Sequence, residues 1–404
     1  MEDKTLTEKI LEVLRQLAQE SVEEIAALDL KDGKEPGCPA YREAYQKGAE
    51  RAMQGLAWQS CEPWEQRTPW QKLCVYKVSD TAGVDCDAAL RNAVLFALAY
   101  GLLDAGWKVE RRKGKPGYYQ LRAPAQGGWI LRGDTMNSYA ATTHGYIHRI
   151  LGNAYGDELL GRQIVDPQRT QSGKLNLQDR YYYHPGTKTK AKNPWERAIL
   201  AQYDFFRRTE TEPQQAFFRA VHTVGNCIPV PFAAEGEGAF NSPRGMGPSK
   251  DYWDLALVCL YNHYARPIGK AILTRQGEDG YTLDWLLKGS GGNGETRARK
   301  THAHVTLCQD WLDGFGSWQR FVEKNFLQDY VWQTDTGWGP PKALWPNHFA
   351  GTIEPVQAQE FHAFFSHVSE WSANRGKRIA QAAKARLRSQ TLESLAQEMA
   401  EEAL

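Results

Sequence analysis

This 404-residue sequence contains few cysteines, and no two of them form a C-x-x-C pair. The seven cysteines are an odd number and are widely scattered, which is typical of reduced thiols and argues against a disulfide framework. No apolar run approaches the roughly 18 residues that suggest a membrane span. The first residues, MEDKTLTEKI, are acidic and amphipathic, unlike a signal peptide. We therefore expect a cytoplasmic protein without a membrane partner.

The sequence also lacks a net charge of either sign and the common cofactor motifs. Lys and Arg number 49 and Asp and Glu 48, so any nucleic-acid partner needs a local basic patch. No Walker A spacing, dinucleotide fingerprint or G-x-S-x-G elbow is present, and the sequence indicates no particular cofactor. His144 and His148 are four residues apart, but the Glu of H-E-x-x-H is absent, so we predict no metal site.

What the sequence does contain is typical of a folded, helix-rich protein. Hydrophobic residues make up 42% of the chain, and its 14 tryptophans far exceed what a disordered chain carries. Thr5 and Glu8 have capping-box spacing, and residues 87–106 form a long apolar stretch that predicts a buried helix. The alternating segments WKVERRK, YYQLRA and GGWILRG predict strands. We predict an α-rich α+β fold, mostly helical, with a small antiparallel sheet near residues 107–133.

The flexible segment GSGGNGET (289–296) is the best candidate for a boundary. It separates a central module (107–288) from a C-terminal helical region (297–404), and an N-terminal helical region (1–106) precedes both. All three regions could also form one compact unit.

Three polar islands interrupt the apolar elements: RGDTMNS (132–138), HTVGN (222–226) and FNSPRG through KDYWD (240–254). Each lies beside a predicted buried element and carries side chains suited to proton transfer, anion binding or orientation. We predict that the islands converge on one polar pocket. The acid–base candidates are Asp134 and His222, and the candidate ligand-binding residues are Arg132, Asn137, Ser138, Asn226, Asn241, Arg244, Lys250, Asp251 and Asp254.

The same residues also have a purely structural interpretation. Asp, Asn and Ser cap helices, and Asn137 or Ser138 is well placed to cap the segment that follows, YAATTHGYIHRIL. Arg–Asp pairs can lock loops together, and a buried charge must be paired in either case. His222 can equally be a core histidine with its hydrogen bonds satisfied.

Patches between about residues 125 and 380 resemble a family of bacterial proteins classified as a domain of unknown function. They are RGDTMNSYAATT, HTVGNCIPVP, FNSPRG, DYWDLALVCLYNHY and FLQDYV. The resemblance implies no activity. It does imply that the three islands belong to one module, in agreement with their interpretation as one polar centre.

The leading hypothesis is a protein whose polar pocket binds a small anionic or phosphorylated ligand such as a nucleotide, with or without catalysis. The alternative is a nucleic-acid-binding or toxin-like protein of bacterial defence, which would use the basic loop 162–192 and the basic helix 375–388. Arg297 and His302 also show an Arg-x4-His spacing that resembles the pattern of HEPN-type toxin ribonucleases. A third possibility is a non-catalytic structural protein.

Overall fold

A computed structural model of the protein describes residues 4–28, 88–113, 117–124, 129–137, 212–233, 239–246, 249, 252–272, 280–288, 294–351 and 353–400. Its helices are α1 (Leu6–Gln19), α2 (Val22–Ala27), α3 (Leu90–Ala99), α4 (Glu212–Ala220), α5 (Asn241–Met246), α6 (Trp253–Ala265), α7 (Leu283–Leu287), α8 (Gly294–Asp313), α9 (Trp318–Lys324), α10 (Ala358–Leu387) and α11 (Leu392–Met399). The strands are β1 (Lys108–Arg111), β2 (Tyr119–Arg122), β3 (Trp129–Thr135), β4 (Cys227–Ala233), β5 (Val331–Thr334) and β6 (Gly337–Pro341). Of the described residues 60% are helical and 14% lie in strands, which confirms the α-rich α+β prediction.

The first helix begins as its sequence predicts. The Thr5 hydroxyl accepts a hydrogen bond from the Glu8 amide at 3.2 Å, and the Glu8 carboxylate accepts one from the Thr5 amide at 2.7 Å. This reciprocal capping box satisfies backbone donors that the first turn leaves without helical partners. The apolar residues of α1 recur at helical intervals and are buried, namely Ile10, Val13, Leu14 and Leu17.

The helix predicted over residues 87–106 is shorter than expected. α3 ends at Ala99, and a 3-10 turn, Leu103–Ala105, follows it. Gly101 and Gly106 have φ angles of 67° and 77°. Glycine adopts this left-handed conformation without the steric penalty that a Cβ brings, so the chain leaves the helix there.

The predicted small sheet has four strands, in the order β1-β2-β3-β4, and every pairing is antiparallel. β4 comes from a distant segment and pairs with β3 along its whole length, with Asp134 opposite Ile228 and Arg132 opposite Val230. β4 contains Pro229 and Pro231, and it is an edge strand of the sheet as described. An edge is where a strand tolerates prolines, because only one side of it must supply hydrogen bonds.

The second, two-stranded sheet was not predicted. Within the segment SWQRFVEKNFLQDYV (317–331), α9 ends at Lys324 and β5 begins at Val331. Phe326 has a φ of 56°, an unusual value for a bulky residue, and it breaks the helix where the sequence shows no glycine or proline. β5 and β6 then form a hairpin.

The longest helix, α10, has 30 residues and packs against α1, α2, α3 and α4. One continuous hydrophobic core contains side chains from α1, the sheet, α6 and α10, and so draws on all three regions proposed from the sequence. The described end of GSGGNGET, from Gly294, is the beginning of α8. The three-region division itself remains a prediction.

Candidate functional site

The first and third polar islands meet in a buried ion pair. The Arg244 Nη2 donates to Asp134 Oδ2 at 2.7 Å, and its Nε donates to the same oxygen at 3.2 Å. Arg244 also donates to the carbonyls of Thr135 at 2.7 Å and Met136 at 3.2 Å. The Arg244 side chain is fully buried. Burial raises the pKa of the Asp134 carboxyl, and the adjacent Arg244 guanidinium opposes that shift.

The second island joins the first through two buried amides. Asn226 Oδ1 accepts from the Asn137 backbone amide at 3.2 Å, and Asn226 Nδ2 donates to the Asn137 carbonyl at 3.2 Å and to the Val221 carbonyl at 2.9 Å. Asn137 Oδ1 in turn accepts from the backbone amide of Trp253 at 3.1 Å. Asn137 therefore caps α6. The segment that we expected Asn137 or Ser138 to cap lies outside the described residues, as does Ser138 itself.

Asp254 stands in the first turn of α6 and is fully buried. Its carboxylate accepts from the amides of Leu255 at 2.9 Å and Leu344 at 2.8 Å, and from Nδ1 of His348 at 2.6 Å. His348 Nε2 lies 3.1 Å from the Ile353 carbonyl oxygen.

The sequence interpretation missed His348. The local signal, the dipeptide Pro346-Asn347 before it, indicates a turn, and Asn347 does adopt a φ of 61°. Nothing in the sequence connects that turn with Asp254, which lies 94 positions earlier.

The remaining predicted site residues are more dispersed. Arg132 lies 3.6 Å from the centre of the Phe232 ring and donates to Gln120 Oε1 at 2.8 Å. Burial, reinforced by the nearby Arg112, lowers the pKa of Arg132 to about 10. His222 is buried, while Asn241, the first residue of α5, is half-buried. Lys250 and Asp251 lie outside the described residues.

We call Asp134, Asn137, Asn226, Arg244 and Asp254 the polar centre. Residues of all three islands meet in the polar centre, but the polar atoms described above bond to each other, to main-chain groups and to His348. Because these five side chains are almost completely shielded from solvent, their geometry resembles the loop-locking arrangement considered from the sequence. The role of the polar centre in stability can be measured directly.

We expect Asp134→Asn and Arg244→Met each to lower the free energy of unfolding by about 3–5 kcal/mol, because each leaves a buried partner unpaired. The loss of unfolding free energy in the double variant should be smaller than the sum of the losses in the two single variants. Denaturant unfolding of the four proteins gives the coupling energy. The exposed pair Arg15 and Glu393, 3.4 Å apart, is the control and should show little coupling. Additive losses at Asp134 and Arg244 would contradict the structural role.

The basic helix 375–388 uses most of its cations within the protein. Arg378 pairs with Asp329, and Arg386 Nη2 lies 2.8 Å from Asp104 Oδ1. Lys384 donates to three carbonyls at the end of α1, including that of Glu20 at 2.6 Å. Arg375 is fully buried, which leaves Lys377 and Arg388 as the exposed cations of this helix. The basic loop 162–192 lies outside the described residues.

A cleft of about 760 Å³ opens elsewhere, between α7 and α8. Its lining includes one aromatic ring, two cations, a histidine, a carboxylate and a hydroxyl, contributed by Trp285, Lys288, Arg297, His302, Asp284 and Thr301. No member of the polar centre lines this α7–α8 cleft. Arg297 and His302, which the Arg-x4-His spacing singled out, both lie on α8 and face this one cleft. The sequence interpretation did not include Trp285 and Lys288.

The cations of the cleft, unlike Arg244 in the polar centre, are not bonded to other groups of the described chain. Among the described residues, Lys288, Arg297 and His302 form no hydrogen bond or ion pair, and all three are exposed. Trp285 is half-buried and held in place: its backbone amide donates to the Thr282 hydroxyl at 3.0 Å, and its ring packs edge-to-face on Tyr281 at 5.1 Å. The α7–α8 cleft thus combines a positioned ring with uncommitted positive charge.

Within the described ranges the chain has neither a side-chain cluster suited to a metal ion nor a helix suited to crossing a membrane. No group of three or more His, Cys, Asp or Glu side chains there is arranged to hold a metal ion, and His144 and His148 lie outside those ranges. No helix within them combines the length and apolar character that crossing a membrane requires.

The described residues define a helix-rich α+β protein with a four-stranded antiparallel sheet, a buried polar centre and a separate open cleft. No protein-family model, curated protein or solved structure matches this chain. The resemblance to the bacterial family of unknown function stays a prediction.

Proposed function

We propose that the protein binds a small phosphorylated ligand with a planar ring, such as a nucleotide, in the α7–α8 cleft. The observation that carries the proposal is the contrast between the cation of the polar centre and the two cations of the cleft. Arg244 is buried and bonded within the protein, whereas Lys288 and Arg297 line an open cleft and have no partner among the described residues. Charged groups with free donors are what a phosphate requires.

The other lining groups suit the rest of a nucleotide. The Trp285 ring offers a surface for a base, and Asp284 and Thr301 offer acceptors for hydroxyl or amino groups. The 20-residue helix α8 begins in the cleft at Gly294, so its positive dipole end adds to the attraction for an anion. The cleft volume of about 760 Å³ lies within the range of small-molecule sites. The proposal concerns binding, and a nucleotide ligand agrees with the cytoplasmic location expected from the sequence.

The polar centre remains a candidate in the form predicted from the sequence, but fewer observations support it. Of the cationic side chains predicted to bind the ligand, Arg244 is fully buried in the polar centre, and Arg132, which lies outside it, packs on Phe232. The alternative, a nucleic-acid surface on helix 375–388, also has less support, because four of the six cations of that helix are already engaged or buried.

Calorimetric titration with adenosine 5′-monophosphate and with adenosine tests the proposal. We expect the monophosphate to bind at least tenfold more tightly than adenosine, since tenfold corresponds to about 1.4 kcal/mol, within the range of one charge-assisted hydrogen bond. Arg297→Gln should remove most of this difference. Arg320→Gln, at an exposed position on α9 outside the cleft lining, is the matched control. Absence of binding, or equal binding by the Arg297→Gln variant, would overturn the proposal.

A further inference from the structure

Positive charge continues beyond the α7–α8 cleft along the first turns of α8. All seven residues from 294 to 300 are exposed. Arg299 and Lys300 belong to this stretch but not to the cleft lining. From residue 284 to residue 300 the chain carries two carboxylates, on Asp284 and Glu295, and four cations, on Lys288, Arg297, Arg299 and Lys300.

This local excess stands out because the chain as a whole has a net charge of only +1. A protein whose net charge is near zero can attract a polyanion only through a local patch of positive charge. A single small phosphate in the cleft would have no use for Lys300, which lies on α8 outside the lining. A ligand with several consecutive phosphates would contact both the cations of the cleft and Lys300 beside it.

Besides positive charge, the cleft offers an aromatic ring, that of Trp285. Trp285 lies in the middle of α7, where its backbone amide bonds to Thr282 and its ring contacts Tyr281, so the ring is presented at the cleft with little freedom to lose on binding. An aromatic ring beside a positively charged track is the combination by which proteins bind single strands, since every base has a face that can stack. A duplex offers no unstacked base to such a ring.

We infer that the α7–α8 cleft holds one nucleotide of a single-stranded nucleic acid, whose backbone continues along the exposed turns of α8 past Lys300. The inference rests on the proposed function and adds the polymeric character of the ligand. The base stacks on Trp285, Lys288 and Arg297 contact the phosphate in the cleft, and Lys300 contacts a neighbouring phosphate.

Fluorescence anisotropy with end-labelled oligothymidylates of increasing length, up to about 16 nucleotides, tests this inference on the full chain. We expect affinity to rise with length over the first few nucleotides and to weaken steeply with salt. Lys300→Gln should weaken oligothymidylate binding about three- to tenfold and lower the magnitude of the salt slope by about one. The same variant should leave the affinity for adenosine 5′-monophosphate unchanged. Lys324→Gln, exposed on α9, should alter neither ligand.

The possible outcomes separate this inference from the proposed function. Binding of the monophosphate with no gain from added nucleotides would overturn the inference and leave the proposed function in place. Equal or tighter binding of a duplex, or an unaffected Lys300→Gln variant, would also overturn it. Absence of binding by both the monophosphate and the oligothymidylates would overturn both.

Discussion

Replacing Gly225 with alanine should lower the free energy of unfolding by about 3 kcal/mol or more, at the upper end of overpacking effects. A Cβ at this position would lie 1.8 Å from the carbonyl oxygen of Ser372, 2.7 Å from its carbonyl carbon and 2.9 Å from the amide nitrogen of Gly376. These are backbone atoms of α10, which cannot rotate away as a side chain could. Relief therefore requires moving the Val224–Asn226 turn or the helix. Urea unfolding with the native protein as reference measures the loss.

Gly314→Ala is the matched control. Its added Cβ would meet nothing closer than the Trp311 carbonyl oxygen at 3.3 Å. We expect a change of at most about 0.5 kcal/mol, typical of a substitution without a specific structural mechanism. If Gly225→Ala were as stable as Gly314→Ala, α10 would not approach the turn as closely as described here.

Arg375→Met should cost about 4 kcal/mol of stability, because it removes the donor for several buried acceptors at once. The guanidinium donates from Nη1 to the carbonyls of Gly225 at 2.8 Å and Cys227 at 2.7 Å, and from Nε to the Asn325 carbonyl at 2.9 Å. Its Nη2 donates to the Tyr100 hydroxyl at 2.6 Å. Burial raises the pKa of Tyr100 to about 12, so its hydroxyl is neutral near pH 7 and accepts through a lone pair. Arg375 thus connects α10 to the turn before β4, to α9 and to the end of α3.

The control for this prediction is Arg388→Met, the same substitution at an exposed position where α10 ends. Denaturant unfolding should show a change within about 0.5 kcal/mol. The stability of Arg375→Lys should lie between those of Arg375→Met and Arg388→Met, because a single ammonium group cannot reach all the acceptors that the planar guanidinium reaches. Equal stability of Arg375→Met and Arg388→Met would show that the buried bonds contribute nothing measurable.

Features that depend on neighbours in the chain were predictable. The capping box at Thr5 and Glu8, the apolar periodicity of α1, the buried helix α6 and the first three strands all follow from spacing and composition over about a dozen residues.

Features that depend on a particular distant partner were not predictable. Phe326 ends a helix that its local sequence favours, because tertiary packing outweighs the small differences in helix propensity. The sequence analysis placed Arg375 in the basic helix 375–388, as part of a possible nucleic-acid surface, although its side chain is fully buried. A charged residue in an amphipathic helix carries no local signal that tells a buried cation from an exposed one. The difference arises from which carbonyls another segment presents to it.

The sequence by itself determined the class of fold and the positions of several helices and strands, because these depend on local spacing and on the need to bury apolar faces. Only the tertiary structure decided that Asp134 pairs with Arg244, that Asp254 bonds to His348, and that Lys288, Arg297 and His302 line an open cleft. The physical reason is that whether a charge is paired or free depends on atoms a few ångströms away in space that lie tens of residues away along the chain.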